Sequence, residues 1–361
     1  MPRVAPVISA PLLLPLLLLL LPATSSSLTI RAADLSALAL EDCALSCNRF
    51  RASPSAPPED ALRIFSRANF TTVRLRVWVN PLANHSEGSA RYVAALAARV
   101  RAANLSLWVD FHLSDWWADP GHQAKPAAWA QLPLPSLIAA VSSHVTAVLG
   151  LIGSGVAVVQ VGNEISPGAL FPSASQACGD SGRVAAPCEG NWAALGALIG
   201  AGITAARAAA PGALIAIHTD LGNRGAQAGA ASVQWYKHFS QALPAGCDYD
   251  AIALSYYLQW GAAGPSGEVA LAEALRAAFP GKQLLMAETS YPWAGTSAPG
   301  PWPATPQGQA DFWAATVGNA SAAGFAGVAW WGGEYAGAWT ALFDANYVAL
   351  PALLQGFLRA P

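Results

Sequence analysis

Short apolar runs alternate with longer segments of helical periodicity along most of this chain, and that alternation constrains its fold more than any other feature. The runs are continuously apolar, which is typical of strands buried on both faces in a parallel sheet. The pattern predicts eight strands: Thr29–Asp34, Thr72–Trp78, Leu105–Phe111, Val156–Val161, Ala213–His218, Ala251–Tyr256, Gln283–Ala287 and Gly327–Trp331. It predicts helices at Glu59–Ala68, Ser89–Ala103, Pro135–Leu151, Trp192–Ala209, Ser232–Ala242, Glu268–Phe279, Pro306–Ala323 and Leu350–Leu358.

These strand–helix units predict an α/β protein with the (β/α)8 or TIM barrel architecture. A doubly wound open sheet is the competing arrangement, but no Gly-rich phosphate-binding turn follows the first predicted strand. No internal repeat or linker divides the chain, and the Pro-rich stretches at 52–58 and 297–306 are typical of surface loops. We therefore predict a single glycoside hydrolase domain over residues 27–361.

Residues 1–26 are predicted to be a secretory signal peptide. Arg3 supplies a positive charge, Leu12–Leu21 form a short apolar core, and the small residues within Ala23–Ser27 suit cleavage. A membrane anchor is the alternative, but this apolar core is shorter than the roughly 20 residues that cross a bilayer. We expect cleavage, secretion to the outside of the cell and no membrane contact afterwards.

The composition indicates an uncharged polar partner. The net charge is −2 and no basic or acidic block occurs, which argues against binding to nucleic acid or to an anionic membrane. Only 11% of residues are charged, whereas 14 are tryptophan. Abundant indole rings with few charges suit sugars, which are flat on their faces and polar on their edges. We expect a monomer that binds a polysaccharide.

Five cysteines in a chain with a predicted signal peptide indicate disulfides with one thiol left over. Cys178 and Cys188 bracket a Gly/Ser/Pro-rich loop, and we expect them to pair. Cys43 and Cys47 are close enough to pair with each other, although either is also a possible partner for Cys247. No histidine accompanies this spacing, which argues against zinc.

Four N-glycosylation sequons also favour the secretory route. They begin at Asn69, Asn84, Asn104 and Asn319. Such triplets arise by chance as well, so we expect some of the four to be unused.

Two glutamates at the ends of predicted strands are the candidate catalytic residues. Glu164 ends the segment VAVVQVGNE, and Glu288 ends KQLLMAE. A buried carboxylate is costly without a partner, and paired carboxylates among aromatic side chains are typical of glycoside hydrolases, about 5–5.5 Å apart in retaining ones. We expect Glu164 to be the acid/base, with a raised pKa. We expect Glu288 to be the nucleophile, kept ionised by Arg74 and Tyr256.

Polar and aromatic residues near the other strand ends are candidate sugar-binding residues, because active sites of such barrels lie at the carboxyl ends of the strands. These candidates are Arg74, His112, Asp115, Trp117, Asn163, His218, Tyr256, Trp260, Trp293 and Trp331. We expect Asn163 to hydrogen-bond the sugar 2-hydroxyl and the tryptophans to stack on sugar faces.

Several candidates also have a structural alternative. A glutamate near a strand end is most often an ion-pair partner, but two of them flanked by Asn and aromatic residues favour chemistry. His112 and His218 are alternatively hydrogen-bonded core residues. Arg76 is alternatively an ion-pair partner of Asp34 or Asp110.

At these residues the chain resembles a known family, the arabinogalactan endo-β-1,4-galactanases of glycoside hydrolase family 53. The similar stretches, in the family's order, are ADLSALALED, TTVRLRVWVNP, DFHLSDWWADPGHQAKPAAW, QVGNEIS, AIALSYY, AETSYPW and ALFDANYVALPAL. The resemblance implies a TIM barrel and retaining endo-hydrolysis of β-1,4-galactan, such as the side chains of type I arabinogalactan in pectin. It makes Glu164 the acid/base and Glu288 the nucleophile. It also matches positions of the family's sites at Arg74, His112, Asp115, Trp117, Asp119, Asn163, His218, Tyr256 and Trp331.

Two loops depart from the family's pattern. The usual Tyr-Tyr-Pro-aromatic-Trp-His-Gly turn after strand six is replaced by SYYLQWGAAG, and the usual Trp-Glu-Pro-Ala-Trp after strand eight by WGGEY at 331–335. Because both loops are expected to shape sugar subsites, an endo-β-mannanase or β-glucanase on the same scaffold is one alternative. A non-catalytic secreted sugar-binding protein is the other, and the presence of both Glu164 and Glu288 argues against it. Some bacterial members hold calcium in a late loop. No matching run of oxygen ligands occurs here, so we predict no required metal or cofactor.

Overall fold

The strands close into one parallel barrel. The computed structural model describes residues 28–41, 49–172, 190–295 and 297–357. Its strands are β1 (Ile30–Asp34), β2 (Thr72–Val77), β3 (Ser106–Phe111), β4 (Val156–Val161), β5 (Leu214–Thr219), β6 (Ala251–Ser255), β7 (Gln283–Thr289) and β8 (Gly327–Trp330). Each strand pairs in parallel with the next along the chain, and β8 pairs with β1. This closure confirms the predicted (β/α)8 barrel and excludes the open sheet.

Helices between the strands form the outer layer. They are α1 (Leu38–Glu41), α2 (Ala61–Arg67), α3 (Ala90–Ala102), α4 (Leu134–Ile152), α5 (Trp192–Ala209), α6 (Ala228–Ala242), α7 (Pro265–Ala278), α8 (Pro306–Ala322) and α9 (Pro351–Gln355). By length and composition alone, α4 and α5 are apolar enough to cross a membrane. In the barrel they pack against each other.

Several helix boundaries differ from the predicted ones by a few residues: α6 begins at Ala228 instead of Ser232, and α7 at Pro265 instead of Glu268. The last helix, predicted over nine residues from Leu350, covers only Pro351–Gln355. Gly356 follows it with a positive φ of 41°, which glycine adopts without the steric cost of a side chain. The four-residue helix α1 was not predicted, because so short a segment carries no periodic pattern.

The barrel interior is filled by small side chains around one tryptophan. The inward-facing cluster consists of Ile30, Ala32, Trp108, Val158, Ala216, Ala251, Ala253, Leu285, Ala287 and Ala329. Trp108 is fully buried, and its indole Nε1 donates a 3.1 Å hydrogen bond to Oε1 of Gln160. Because side chains alternate along a strand, the next inward positions towards the carboxyl ends carry the polar groups of the site.

Several predictions lie outside the described residues. These are the signal peptide over residues 1–26 and the cysteines Cys43, Cys47, Cys178 and Cys188. Cys247 is half-buried and forms no disulfide with any residue that the structure describes.

Candidate active site

An open cleft with two adjoining lobes lies at the carboxyl ends of the strands. The first lobe, of about 320 Å³, is lined by Trp117, Ala118, Asp119, Asn163, Glu164, Tyr257, Trp260, Glu288 and Trp331. The second, of about 440 Å³, is lined by Asp119, Pro120, Glu164, Asp220, Asn223, Arg224 and Trp260. Since Glu164 lines both, the two lobes meet at this residue. Both glutamates that the sequence singled out therefore line one cleft.

Arg74, on β2, is the centre of a buried ionic network at the base of the cleft. Its Nη1 lies 2.7 Å from Oδ2 of Asp34. Its Nη2 lies 2.9 Å from both Oδ2 of Asp110 and Oε1 of Glu288. Burial alone would lower the pKa of Arg74, but these three carboxylates raise it above its ordinary value. Arg74, rather than Arg76, is thus the partner of Asp34 and Asp110.

The pKa of Glu288 results from opposing effects. The net effect raises this pKa to about 7; burial is the largest cause, and the nearby carboxylates of Asp110 and Asp34 act in the same direction. The Arg74 guanidinium and a hydrogen bond from Tyr257 act in the other direction. Glu288 therefore has two direct donors that stabilise its ionised form, at 2.9 Å from Arg74 and 3.0 Å from the Tyr257 hydroxyl.

The hydroxyl of Tyr257, and not that of Tyr256, donates to the Glu288 carboxylate. The backbone N–H of Tyr256 donates to the Glu288 carbonyl, at 2.8 Å. The hydroxyl of Tyr256 donates instead to the carbonyl of Gly264, at 2.6 Å, at the start of α7. Inward-facing positions on β6 are Ala251, Ala253 and Ser255, and Tyr257 continues that alternation. The predicted role of Tyr256 is therefore corrected to its neighbour, which has the matching orientation.

An irregularity in β7 turns Glu288 towards the cleft. Met286 pairs with Leu254, but Glu288 pairs with the next residue of β6, Ser255, so one residue of β7 has no partner across the ladder. Ala287, the residue passed over, faces the barrel interior. With strict alternation Glu288 would then face outward. The shift is a β-bulge, a feature that often redirects side chains beside active sites.

Glu164 stands in a sharp turn directly after β4. Gly162 has a φ of 87° and Glu164 itself a φ of 48°, an uncommon conformation for a residue with a side chain. A Cβ at Gly162 would lie 2.7 Å from Cγ2 of Ile165, so the turn has no room for one. Ser255 donates a 2.6 Å hydrogen bond to Oε1 of Glu164. Burial, and then the Glu288 carboxylate, raise the pKa of Glu164 well above its ordinary value.

His218 and Gln160 form hydrogen bonds with residues beside the two glutamates, Asn163 directly after β4 and Ser255 at the end of β6. Nδ1 of His218 lies 2.9 Å from Oδ1 of Asn163 and 2.9 Å from Nε2 of Gln160. Its Nε2 lies 3.0 Å from Oγ of Ser255. His218 is fully buried, and burial lowers its pKa well below the ordinary value. We therefore assign His218 to positioning Asn163 and Ser255 in place of direct contact with a sugar.

His112 has a similar supporting place at the end of β3. Its Nε2 lies 2.9 Å from Oδ2 of Asp110, and its Nδ1 accepts a 2.9 Å hydrogen bond from the backbone N–H of Ala118. The side chain is buried. It fixes the loop that carries Trp117 and does not line the cleft.

Asp115 and Trp293 also hold loops rather than line the cleft. The Asp115 carboxylate accepts hydrogen bonds from the backbone N–H groups of Asn80, at 2.9 Å, and Ala127, at 2.8 Å. The Trp293 indole donates to the carbonyl of Ala338 at 2.6 Å. Each therefore ties two segments together at the rim of the barrel.

Three of the predicted tryptophans do line the cleft: Trp117, Trp260 and Trp331. The rings of Trp117 and Trp331 have centroids 6.1 Å apart. The guanidinium of Arg76 lies 3.8 Å from the centroid of Trp117 and 4.5 Å from that of Trp78. Arg76 therefore supports an aromatic wall of the cleft through cation–π contacts.

The sequence analysis gave no site role to Gln160, Ser255 or Tyr257 and named Asp110 only as a partner for Arg76. Each carries a polar group into the barrel at the layer above the small inward-facing side chains. The signal that would have found them is alternation: they lie two or more positions beyond an inward apolar residue on the same strand. Asn163 was found, and its Nδ2 donates to the carbonyl of Ala118 at 2.7 Å.

No group of three or more His, Cys, Asp or Glu side chains within the described ranges is arranged to hold a metal ion. Three buried acids at the site, Asp34, Asp110 and Glu288, contact the Arg74 guanidinium. The expectation that no metal is required stays a prediction.

Comparison with known proteins places this cleft in a family context. The family described as glycosyl hydrolase family 53 matches residues 30–353. An uncharacterised protein of Niallia circulans is 34% identical over 65% of this chain and 61% of its own length. The probable arabinogalactan endo-β-1,4-galactanase A of Aspergillus fumigatus is 40% identical over 44% of this chain and 45% of its own length. The matched region thus spans less than two thirds of these relatives.

Solved structures match over nearly the whole chain. A family 53 catalytic domain from Ignisphaera aggregans is 25% identical, covers 93% of this chain and 97% of its own, and has a TM-score of 0.79. A fungal β-1,4-galactanase structure is 23% identical, covers 91% of this chain and 99% of its own, and has a TM-score of 0.75. The second likeness bears on the fold alone.

Proposed function

The chain belongs to glycosyl hydrolase family 53, and we propose that it hydrolyses internal β-1,4-galactosidic bonds of galactan and arabinogalactan with retention of configuration. The names of its fungal relatives support this substrate class. The observation that carries the proposal is the pair of glutamates in one aromatic cleft, with different partners. The Glu288 carboxylate forms an ion pair with Arg74 and accepts a hydrogen bond from Tyr257. Among the side chains described, only the Ser255 hydroxyl donates to the Glu164 carboxyl group.

The different partners assign the two roles. Two donors favour the ionised form of Glu288, so it attacks the anomeric carbon and forms a glycosyl-enzyme. Glu164 keeps its proton because burial and the neighbouring carboxylate disfavour its ionised form, and it protonates the departing glycosidic oxygen. In the second step the ionised Glu164 takes a proton from water, and the water oxygen attacks the anomeric carbon. The bond from that carbon to Glu288 breaks, which releases the sugar with Glu288 ionised and Glu164 protonated again. Asn163 has a second amide N–H beyond its bond to Ala118, which suits the 2-hydroxyl of the attacked sugar.

The two lobes of the cleft support cleavage at an internal bond of the glycan, and their lining residues indicate how the glycan is oriented. Glu288 lines only the lobe that contains Trp117 and Trp331, so the sugar under attack belongs there. Glu164 lines both lobes, and the lobe with Asn223 and Arg224 lacks the nucleophile. That second lobe suits the leaving part of the glycan. A substrate with sugars on both sides of the bond fills both lobes.

The test is release of reducing ends from linear β-1,4-galactan, with β-mannan and β-glucan in parallel, for the wild type, Glu288→Gln and Glu164→Gln. We expect activity on galactan alone and a loss of at least about a thousandfold in kcat for Glu288→Gln. Proton NMR of the first product formed should show the β-anomer. Cleavage of mannan or glucan instead of galactan would identify a different substrate. An initial α-anomer would contradict retention, and a folded but inactive wild type would favour a sugar-binding protein.

A further inference from the structure

Glu334 is a fully buried acid that the proposed mechanism does not use. It lies shortly after β8, in one of the two loops where the sequence departs from the family's pattern. Oε2 of its carboxyl group is buried and has no hydrogen-bond partner within the described residues. A buried polar atom without a partner costs free energy, so stability alone does not account for an acid at this position.

The other oxygen of Glu334 holds the loop that follows β1. Oε1 accepts a 2.8 Å hydrogen bond from the backbone N–H of Ala37. Because β8 pairs with β1, this bond joins two loops at the place where the barrel closes. The bond is buried, so removal of the carboxyl group would leave the Ala37 N–H without its acceptor.

The loop after β1 also carries Asp34, a direct partner of Arg74. The hydroxyl and the backbone N–H of Ser36 both donate to Oδ1 of Asp34, at 2.6 and 3.1 Å. Oδ2 of Asp34 lies 2.7 Å from Nη1 of Arg74, and Nη2 of Arg74 lies 2.9 Å from Oε1 of Glu288. A continuous series of contacts thus leads from Ala37, which follows Ser36, to the nucleophile.

Glu334 can hold this loop without adding a negative charge beside Arg74. Burial is the largest cause of a net rise in the pKa of Glu334 to about 8, and the Asp34 carboxylate acts in the same direction. The carboxyl group is therefore neutral at neutral and acidic pH, and a neutral carboxyl group still accepts a hydrogen bond. Three acids already contact the Arg74 guanidinium, so a neutral acceptor suits this place.

We propose that Glu334 is a positioning residue that acts on the nucleophile Glu288 through the loop after β1. This inference rests on the proposed function and deepens it. Glu334 holds Ala37, which keeps Asp34 in place against Arg74 and thereby keeps Arg74 in place against Glu288. Glu334 itself is not among the residues that line the two lobes of the cleft.

The test compares Glu334→Ala and Glu334→Gln with the wild type on linear β-1,4-galactan. In Glu334→Ala we expect kcat per active site to fall about tenfold and KM to change less than about twofold, because misplaced reacting groups slow the chemical step. Glu334→Gln keeps a carbonyl oxygen as the acceptor and has the size of the neutral acid. It should therefore retain kcat within about twofold.

Glu268→Ala is the matched control. Glu268 lies on α7, is 2% exposed, and its Oε2 also lacks a hydrogen-bond partner in the described part of the chain. Its carboxyl group bonds instead to Thr316 on α8, in the outer layer of the barrel. Glu268→Ala removes the same buried group, so it should lower stability and leave kcat per active site unchanged.

Trapping of the nucleophile separates positioning from loss of folded protein. An aryl 2-deoxy-2-fluoro-β-galactobioside forms a long-lived glycosyl-enzyme on a retaining nucleophile, and mass spectrometry of the intact protein counts the labelled molecules. We expect Glu334→Ala to be labelled completely but about tenfold more slowly than the wild type. Ser36→Ala removes a donor to Asp34 in the same series and should also slow the labelling, which provides a second variant if Glu334→Ala does not fold.

The two proposals fail in different ways. A wild type that is labelled and cleaves galactan, with folded variants labelled at the wild-type rate, would overturn the positioning role and leave the proposed function standing. A reduced labelled fraction with an unchanged rate would show a purely structural role for Glu334. A folded wild type that is neither labelled nor active would overturn both proposals.

Discussion

At the scale of single residues, the two glutamates differ in the groups that donate to them. Tyr257 donates to Glu288 at 3.0 Å, and Ser255 donates to Glu164 at 2.6 Å. Each hydrogen bond lowers the pKa of the carboxyl group that accepts it, against the rise caused by burial. Because the two carboxyl groups interact, a pH–rate profile reports values that belong to the pair. The two donors nevertheless act on opposite limbs of that profile.

Removing one donor at a time should therefore move one limb at a time. In Tyr257→Phe the pKa of Glu288 rises, and since activity needs Glu288 ionised, the acid limb of kcat/KM moves to higher pH by about one pH unit. In Ser255→Ala the pKa of Glu164 rises, and since activity needs Glu164 protonated, the alkaline limb also moves to higher pH. Full pH profiles on galactan measure both shifts.

Ser240→Ala serves as the control for these profiles, because Ser240 bonds the Tyr249 hydroxyl on the outer layer of the barrel and is remote from both glutamates. Its profile should match that of the wild type. A Tyr257→Phe profile that moves on the alkaline limb alone would reverse the two assigned roles.

At the scale of the strands, composition explains what the sequence analysis found, whereas side-chain alternation and strand pairing explain what it missed. The apolar runs located the barrel strands closely, because a strand buried on both faces has a distinctive composition. Glu164 and Glu288 were found because carboxylates at apolar strand ends are unusual. Tyr256 was chosen over Tyr257 because alternation on β6 was not applied. The bulge at Ala287 was beyond prediction, since it depends on pairing with β6.

The turns that lead into β2 and β3 place two sequons on the face opposite the cleft. Asn69 and Asn104 are exposed, at φ values of 66° and 58°, and each precedes the amino end of a strand. Asn319 differs, because it lies within α8 and its amide donates to the carbonyl of Pro265 at 3.4 Å. A glycan needs a free amide nitrogen in an accessible segment.

We therefore expect glycans at Asn69 and Asn104 and none at Asn319 when the full chain passes through a eukaryotic secretory pathway. Peptide mass spectrometry after enzymatic deglycosylation in heavy-oxygen water measures the occupancy of each site. Activity on galactan should be the same in Asn69→Gln and Asn104→Gln as in the wild type, because both positions are far from the cleft. High occupancy at Asn319 would show that this part of α8 is not formed when glycans are added.

At the scale of the whole molecule, one tryptophan joins the barrel core to the chemistry above it. Trp108 fills the interior between small side chains, and its indole N–H and Nε of Arg74 both donate to Oε1 of Gln160, at 3.1 and 3.2 Å. Arg74 in turn contacts Glu288. Packing of Trp108 in the core thereby helps to position Arg74, which lowers the pKa of the nucleophile Glu288.

Two substitutions at Trp108 separate these contributions. Trp108→Ala should lower the free energy of unfolding by about 3–5 kcal/mol, because it leaves a large cavity among alanines that cannot collapse around it. Trp108→Phe keeps much of the volume but removes the donor to Gln160. We expect it to lose less stability and to lower kcat, measured by denaturant titration and by galactan hydrolysis.

Trp313→Phe supplies the comparison that isolates the hydrogen bond. Trp313 is as deeply buried, on α8 outside the barrel, and its indole nitrogen has no hydrogen-bond partner within the described residues. The substitution removes a similar volume and no donor, so it should reduce stability and leave kcat unchanged. The contrary result would be that Trp108→Phe and Trp313→Phe lower stability alike and both keep the wild-type kcat. That result would show that Arg74 and the carboxylates around it keep their positions without the hydrogen bond from Trp108 to Gln160.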